Sequence, residues 1–178
     1  MEFKIFVGSK EHVKYAEIIN EAIASAAEVK GTGLAKRSSE FIRQKISDGH
    51  SIIALTEDDS FAGFCYIETW AGDKFVANSG LIVLEKYRGQ GLGTKIKAAI
   101  LELTKKLFPE AKIIGLTTSL AVMKINSRLG YRPASFAELT DDMDFWKGCA
   151  SCNYYDVLVR THRQNCLCTG MISDDNGK

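Results

Sequence analysis

A short glycine-rich run between a strand-like segment and a helix-like segment places the strongest constraint on the fold of this chain. The run covers residues 87–94 and reads YRGQGLGT. A strand-like segment, residues 75–84, comes before it, and a helical apolar stripe from Leu92 to about Phe108 follows it. The first backbone N–H groups of a helix have no intrahelical partners, and the helix dipole adds positive potential there. The run therefore predicts a phosphate or pyrophosphate site at the start of this helix.

The spacing of the glycines separates this site from two other phosphate-binding loops. A Rossmann fingerprint, G-x-G-x-x-G, needs a glycine where Thr94 stands, and the G-x-x-x-x-G-K-S/T pattern of a P-loop is absent. The remaining pattern is R-x-x-G-x-G, formed by Arg88, Gly91 and Gly93. A glycine turn that binds nothing is the alternative, but the strand, arginine, glycines and helix all occur in the order that a binding loop requires.

This order of elements resembles the GNAT family of acyl-CoA-dependent N-acyltransferases, whose pyrophosphate loop reads Q/R-x-x-G-x-G/A. Residues 119–131 are similar to a second GNAT signature, with Ser119 in place of its asparagine and Asn126 in place of its tyrosine. The resemblance extends over about residues 3–139. It implies an α/β GNAT fold, with a central mixed, mostly antiparallel sheet and helices on both faces.

The pattern of apolar residues predicts the elements β-α-α-β-β-β-α-β-α-β over residues 1–139. Gly80 interrupts the third long strand and predicts a β-bulge. The last strand is expected from Tyr131 to about Leu139. Residues 140–178 are interpreted as a C-terminal extension packed on the same domain, with a helix-like piece at about residues 153–164.

Composition limits the classes of partner. The 178-residue chain is 46% hydrophobic, and its 23 basic and 22 acidic residues give a net charge of +1. We therefore expect no nucleic-acid or membrane partner. The first residues do not resemble a signal peptide and no apolar run is long enough to span a bilayer, so we expect a cytoplasmic protein. The sequence leaves a homodimer open.

The resemblance implies acetyl-CoA, or a close acyl-CoA, as co-substrate. The glycine loop is expected to bind its pyrophosphate, and the strand before the loop is expected to pair with its pantetheine arm. The cofactor-binding residues implied in this way are Leu81, Ile82, Val83, Arg88, Gly89, Gln90, Gly91, Leu92, Gly93, Thr94, Ser119 and Asn126.

Acyl transfer to an amine requires a group that removes the proton of the amine and a means of protonating the leaving thiolate. Glu68, at the end of a strand beside Trp70, is the candidate base, because an apolar neighbourhood would raise its pKa. Water bound by Asn78 and Ser79 is an alternative base. Asn126 is the candidate for contact with the sulfur of CoA, although an amide is a poor acid.

The acceptor is predicted from the connection between the first two helices, because the family selects substrates there. Lys36 and Arg37 stand next to flexible glycines and could clamp a carboxylate. Trp70, Asn78 and Ser79 complete the expected acceptor site. We therefore expect direct acetyl transfer to a small amine, such as the amino acid glutamate. A protein Nα- or lysine acetyltransferase and a non-catalytic acyl-CoA-binding regulatory module are the alternatives.

The tail contains a W-x-x-C-x-x-C motif that starts at Trp146. It resembles the C-terminal end of short stand-alone N-acetylglutamate synthases, which are themselves GNAT proteins. Two soft-ligand pairs, Cys149 with Cys152 and Cys166 with Cys168, are also candidate ligands for a structural zinc ion. Four reduced cysteines that pack the tail onto the domain are the alternative.

Overall fold

A computed structural model describes residues 2–29 and 31–173 of the chain. Its strands are β1 (Phe3–Val7), β2 (Ser51–Thr56), β3 (Phe61–Trp70), β4 (Phe75–Val83), β5 (Lys112–Thr117), β6 (Tyr131–Ala134) and β7 (Thr169–Ser173). Its helices are α1 (Ala16–Glu28), α2 (Ser39–Ser47), α3 (Leu92–Leu107), α4 (Leu120–Arg128), α5 (Phe136–Leu139), α6 (Met143–Lys147) and α7 (Tyr155–Arg160). Short 3₁₀ helices precede α1 and the glycine loop. No helix among these residues is long and apolar enough to cross a membrane.

The seven strands form one sheet in the order β1-β2-β3-β4-β5-β7-β6. Only β4 and β5 pair in parallel, and every other neighbouring pair is antiparallel. Helices α1 and α2 cover one face, where Ile19 and Ile42 pack with Ile53 of β2. Helix α3 covers the other face through Ile96 and Ile100. The central strands β2 and β3 are almost entirely buried, because helices cover both of their faces. The predicted fold class is confirmed.

The predicted bulge at Gly80 is present. Phe64 pairs with Ile82 and Tyr66 pairs with Ser79, so β4 carries one more residue than β3 over this stretch. Gly80 has a φ of +63°, and a Cβ atom there would lie 2.3 Å from the Tyr66 ring. Glycine is therefore required at this position, and the bulge bends β4 immediately before the glycine loop.

The prediction of a final strand from Tyr131 to about Leu139 is wrong in its second half. The strand ends at Ala134 and is followed by α5, whose first turn is fixed by a capping box between Ser135 and Glu138. The S-x-x-E spacing was the available sequence signal for this helix start.

The C-terminal residues contribute more to the fold than the sequence indicated. Strand β7 lies between β5 and β6, so the sheet includes residues from both sides of the predicted boundary at residue 139. The helix-like piece expected at residues 153–164 is shorter, since α7 ends at Arg160 and His162 and Arg163 have positive φ angles.

Candidate active site

The strands β4 and β5 separate where the chain approaches the glycine loop. Their parallel pairing stops at Ala77 and Ile114, and β5 continues by pairing with β7 on its other side. Beyond Ala77, β4 has β3 on one side and no strand of the described chain on the other. This leaves an open backbone edge, which can pair with an extended ligand. A cavity of about 640 Å³ occupies the opening.

The glycine loop forms one end of this cavity. Gly91 is the N-cap residue of α3 and has a φ of +76°, so its backbone conformation favours glycine. A Cβ atom on Gly89 or Gly91 would meet nothing within 4 Å, which leaves room for a phosphate against the backbone. Arg88 Nε donates to the Val83 carbonyl at 3.0 Å and so ties the loop to β4.

The residues implied for CoA binding line the cavity, with one exception. Gln90 does not line it, because its side chain points into solvent at the tip of the loop. The lining members of that set are Leu81, Ile82, Val83, Arg88, Gly89, Gly91, Leu92, Gly93, Thr94, Ser119 and Asn126.

Asn126 is a buried residue of α4, with 3% of its surface exposed, rather than a helix-surface asparagine. Its Nδ2 lies 3.6 Å from Met171 Sδ of β7, and its Oδ1 has no hydrogen-bond partner among the described residues. A buried amide oxygen without a partner is costly unless a ligand supplies a donor. The pantetheine arm of CoA carries amide N–H donors, so the donor chemistry of this edge fits an acyl-CoA.

A polar network that the sequence did not predict lies beneath the bulge. Lys97 of α3 is 3% exposed, and its Nζ donates to the Asn78 carbonyl at 2.8 Å. The Asn78 side chain accepts from Thr104 Oγ1 at 2.7 Å and donates to the Tyr131 hydroxyl at 3.4 Å. Burial lowers the pKa of Lys97 and raises that of Tyr131. The sequence did contain a signal for this network: the spacing of Lys97, Leu101 and Thr104 places them on a second buried stripe of α3.

The other end of the cavity carries an ion pair. Arg37 and Glu68 are joined by a contact of 3.3 Å, and each side chain is only 17% exposed. Burial lowers the pKa of the Arg37 guanidinium, but Tyr66 and Glu68 more than offset that effect and leave it raised. Arg37 Nε has no partner within the described part of the chain. The Arg37 guanidinium therefore retains one buried donor that no described residue uses.

Of the two predicted acceptor cations, only Arg37 lines the cavity. Lys36 is directed away, with 53% of its side chain exposed, and pairs with Glu28. The other expected acceptor-site residues, Trp70, Asn78 and Ser79, all line the cavity. The environment of Glu68 differs from the apolar one that was expected, because its carboxylate accepts a hydrogen bond from the Arg37 guanidinium.

The C-terminal segment closes this end. Asn153 Nδ2 donates to the Ala27 carbonyl at 3.0 Å, which ties the segment to the end of α1. The Gly33 N–H donates to Thr118 Oγ1 at 3.0 Å, so the connection between α1 and α2 is fixed to the start of α4. Trp146 and Tyr154 line the cavity and were not predicted as site residues.

The four tail cysteines also line this end, as free thiols. The zinc hypothesis is not supported: across residues 2–29 and 31–173, no group of three or more His, Cys, Asp or Glu side chains is arranged to hold a metal ion. Cys149 and Cys168 instead pack with Phe145 and Trp146 in a hydrophobic cluster. Burial, together with the neighbouring thiols, raises the pKa of Cys149 to about 11 and that of Cys168 to about 12.

A glycine loop at a helix start, a bulged strand beside an opened sheet edge and a cavity between them are the features expected of an acyl-CoA-dependent acetyltransferase. The family model described as acetyltransferase (GNAT) family matches residues 15–126. The chain belongs to the GNAT family and is an N-acetyltransferase by that membership.

Solved structures share this fold at low sequence identity. N-acetylglutamate synthase from Neisseria gonorrhoeae, in complex with coenzyme A and N-acetyl-glutamate, superposes with a TM-score of 0.67 at 17% identity. That alignment covers 97% of this chain but only 35% of the synthase chain, so this chain spans about a third of it.

Two further structures match most of both chains. Rv2747 from Mycobacterium tuberculosis, in complex with CoA, gives a TM-score of 0.66 at 12% identity and covers 95% of this chain and 97% of that one. A phosphinothricin acetyltransferase from Sinorhizobium meliloti, in complex with AcCoA, gives a TM-score of 0.63 at 13% identity. That alignment covers 97% of this chain and 87% of the acetyltransferase chain. No curated protein sequence matches this chain significantly.

Proposed function

We propose that this enzyme transfers an acetyl group from acetyl-CoA directly to the α-amino group of a free amino acid. The observation that carries the proposal is Arg37, a largely buried cation at the closed end of the cavity with an unused Nε donor. A carboxylate of the acceptor would satisfy that donor through a charge-assisted hydrogen bond. Its five free cysteines favour the reducing cytoplasm as the location.

Glu68 is the residue best placed to receive the proton of the acceptor ammonium. It lines the cavity beside Arg37, so a zwitterion can place its carboxylate on one residue and its ammonium on the other. The neutral amine then attacks the acetyl carbonyl, the carbon–nitrogen bond forms and the carbon–sulfur bond breaks. The nitrogen then loses its second proton, and water carries a proton to the leaving thiolate, because Asn126 is a poor acid.

The C-terminal segment favours a small acceptor over a protein. It lies across the acceptor end and is tied to α1 by Asn153. A protein acetyltransferase needs an open groove at this place. N-acetylglutamate synthase binds N-acetyl-glutamate in a structure with the same fold, which is consistent with an amino-acid acceptor.

The test of the proposal is Arg37→Ala, with Lys36→Ala as the matched control. Loss of a charge-assisted hydrogen bond in a partly buried site costs about 1.5 to 3 kcal/mol, so KM for the amino acid should rise roughly 10- to 150-fold. KM for acetyl-CoA should stay unchanged. Lys36→Ala should leave both constants unchanged, since Lys36 pairs with Glu28 in solvent.

Two results would contradict the proposal. Equal activity of the native enzyme on an amino acid and on its decarboxylated amine would exclude recognition of the carboxylate. Tight acetyl-CoA binding without turnover of any amine would favour the non-catalytic regulatory module.

A further inference from the structure

The side-chain part of the acceptor pocket is built from aromatic rings and thiols. Trp70 packs edge-on against Phe145, with the ring centroids 4.9 Å apart. Cys149, Cys152, Cys168 and Tyr154 line the same end of the cavity. Sulfur and aromatic surfaces of this kind favour apolar, polarisable ligands.

Two thiols of this wall, Cys149 and Cys168, are uncharged near neutral pH. Burial raises the pKa of Cys149 to about 11 and that of Cys168 to about 12, so both remain thiols. These two thiols therefore offer an anionic side chain no cation, and they offer a cationic side chain no thiolate.

Cations are scarce around the rest of the cavity as well. Of the described residues that line it, four are charged: Arg37, Glu68, Arg88 and Lys97. Arg88 belongs to the glycine loop, and Lys97 donates to the Asn78 carbonyl beneath β4. The charge of Lys45 on α2 interacts with that of Glu68, but Lys45 does not line the cavity.

Arg37 is thus the one cation at the acceptor end among the residues that the structure describes there. It can bind one carboxylate, and every α-amino acid already has one. A second carboxylate on the side chain would lose its water without gaining a partner, which is costly.

The wall is also held in place before any ligand binds. A Cβ atom on Gly33 would lie 3.0 Å from Cys168 Sγ and 2.9 Å from the Thr118 side chain, so the connection between α1 and α2 packs tightly on the thiols. Cys166 Sγ lies 3.7 Å from the Tyr154 carbonyl. A preformed apolar wall loses little freedom on binding and selects by shape.

We infer that the acceptor amino acid carries a large apolar side chain, aromatic or thioether, which lies against the wall formed by Trp70, Phe145 and the tail thiols. Glutamate, the example that the sequence suggested, is then a poor substrate. This inference rests on the proposed amino-acid acceptor and specifies which amino acids the same site takes.

The test compares methionine, glutamine and glutamate, whose side chains have similar length, together with phenylalanine. The readouts are kcat/KM at saturating acetyl-CoA and calorimetric binding of each amino acid to the native protein loaded with CoA. We expect kcat/KM for methionine or phenylalanine to exceed that for glutamate by about 10- to 100-fold, with glutamine between them.

A charge placed in the wall should change this order. Cys152→Arg should raise the ratio of kcat/KM for glutamate to kcat/KM for methionine at least about 10-fold. The matched control is Ser151→Arg, which adds the same charge at an exposed neighbouring position and should leave the ratio unchanged. Unchanged CoA affinity of both variants establishes that they are folded.

The possible results distinguish the inferred side-chain preference from the proposed amino-acid acceptor. Turnover of amino acids with glutamate equal to or better than methionine, in kcat/KM and in binding, would overturn the inference and leave the proposed function standing. Binding of acetyl-CoA without turnover or binding of any amino acid would overturn the proposed function and the inference with it.

Discussion

Neighbouring residues in the connection between α1 and α2 have opposite roles. Lys36 extends into solvent toward Glu28, whereas Arg37 lies in the cavity beside Glu68. Both are basic, and the connection has no helical or strand period from which their directions could be predicted. The difference arises from packing, because Tyr66 and Glu68 of β3 form the surface on which Arg37 lies.

At the glycine loop, Gly91→Glu should raise the dissociation constant for acetyl-CoA by more than Arg88→Ala does. The new carboxylate would lie against the pyrophosphate and repel it, whereas Arg88 chiefly ties the loop to Val83. Calorimetric titration with acetyl-CoA measures the change.

The matched control is Gly72→Glu in the exposed turn between β3 and β4. Gly72 also has a positive φ and also meets nothing within 4 Å, so the strain and the added charge are the same. It should leave acetyl-CoA affinity unchanged. Unchanged affinity in a folded Gly91→Glu variant would exclude the loop as the pyrophosphate site.

At Glu68, substitution by glutamine should lower kcat about 100-fold, because the proposed general base is lost while the shape of the side chain is kept. The acidic limb of the pH–rate profile should change with it. Glu28→Gln is the control, since Glu28 is exposed and pairs with exposed Lys36. If kcat and the acidic limb both persist, the base is water held near Asn78 and Ser79.

At the scale of the element, β7 shows how a weak strand becomes central. Its five residues, TGMIS, are few and include a glycine, which weakens their local preference for a strand. All five residues pair with β5, and residues 170–173 also pair with β6 on the other side. Pairing on both sides, rather than local sequence, makes this segment a strand.

Gly170→Ala should therefore destabilise the fold. The added Cβ would lie 2.8 Å from the Ala134 carbonyl oxygen and 3.2 Å from the Leu139 side chain, so β6 or α5 must shift. Overpacking of this kind costs about 1 to 3 kcal/mol in the free energy of unfolding, measured by chemical denaturation.

Gly115→Ala on the neighbouring β5 provides the comparison, because its nearest contact is Asn126 Nδ2 at 3.9 Å. Its free energy of unfolding should change by much less. Equal stability of the two variants would contradict the central position of β7.

At the scale of the whole molecule, buried thiols and phenols couple stability to alkaline pH. Burial raises the pKa of Cys149 to about 11 and of Cys168 to about 12, from the ordinary value of 9.0, and raises those of Tyr66 and Tyr131. Above pH 9 the folded state therefore binds more protons than the unfolded state. The stability that these groups contribute is fully present below pH 9 and is lost as the pH rises through about 11 and 12.

Under reducing conditions the free energy of unfolding should fall between pH 9 and 10.5, by at most about 1.4 kcal/mol per pH unit for each group. Lys97 acts in the opposite direction, because burial lowers its pKa from 10.5 and its folded form binds fewer protons. Lys97→Met should therefore steepen the fall, and Cys149→Ser should flatten it. A stability that rises over this range in the native protein would contradict the assignment.

Local patterns in the sequence, together with the resemblance to the GNAT family, were sufficient for most elements before Tyr131 and for the glycine loop. Glycines at 91 and 93, the strand before them and the stripe of Leu92, Ile96 and Ile100 each act within about ten residues of one another. The bulge at Gly80 and the cap at Ser119 are local in the same way. Short-range geometry determines such features, so the sequence alone carries them.

Only the tertiary structure decided how the acceptor pocket is assembled. Arg37, Glu68, Trp146 and Cys168 come from four separated parts of the chain, and the cavity exists because β4 and β5 separate and the tail folds back over α1. The spacing of the tail cysteines left zinc ligands and packed thiols as alternatives, and the packing of Cys149, Cys166 and Cys168 with Phe145 and Trp146 favours the packed thiols. Spacing in the sequence indicates which side chains could meet. Residues from elsewhere in the chain pack around each group, and they determine its environment, its charge and its chemistry.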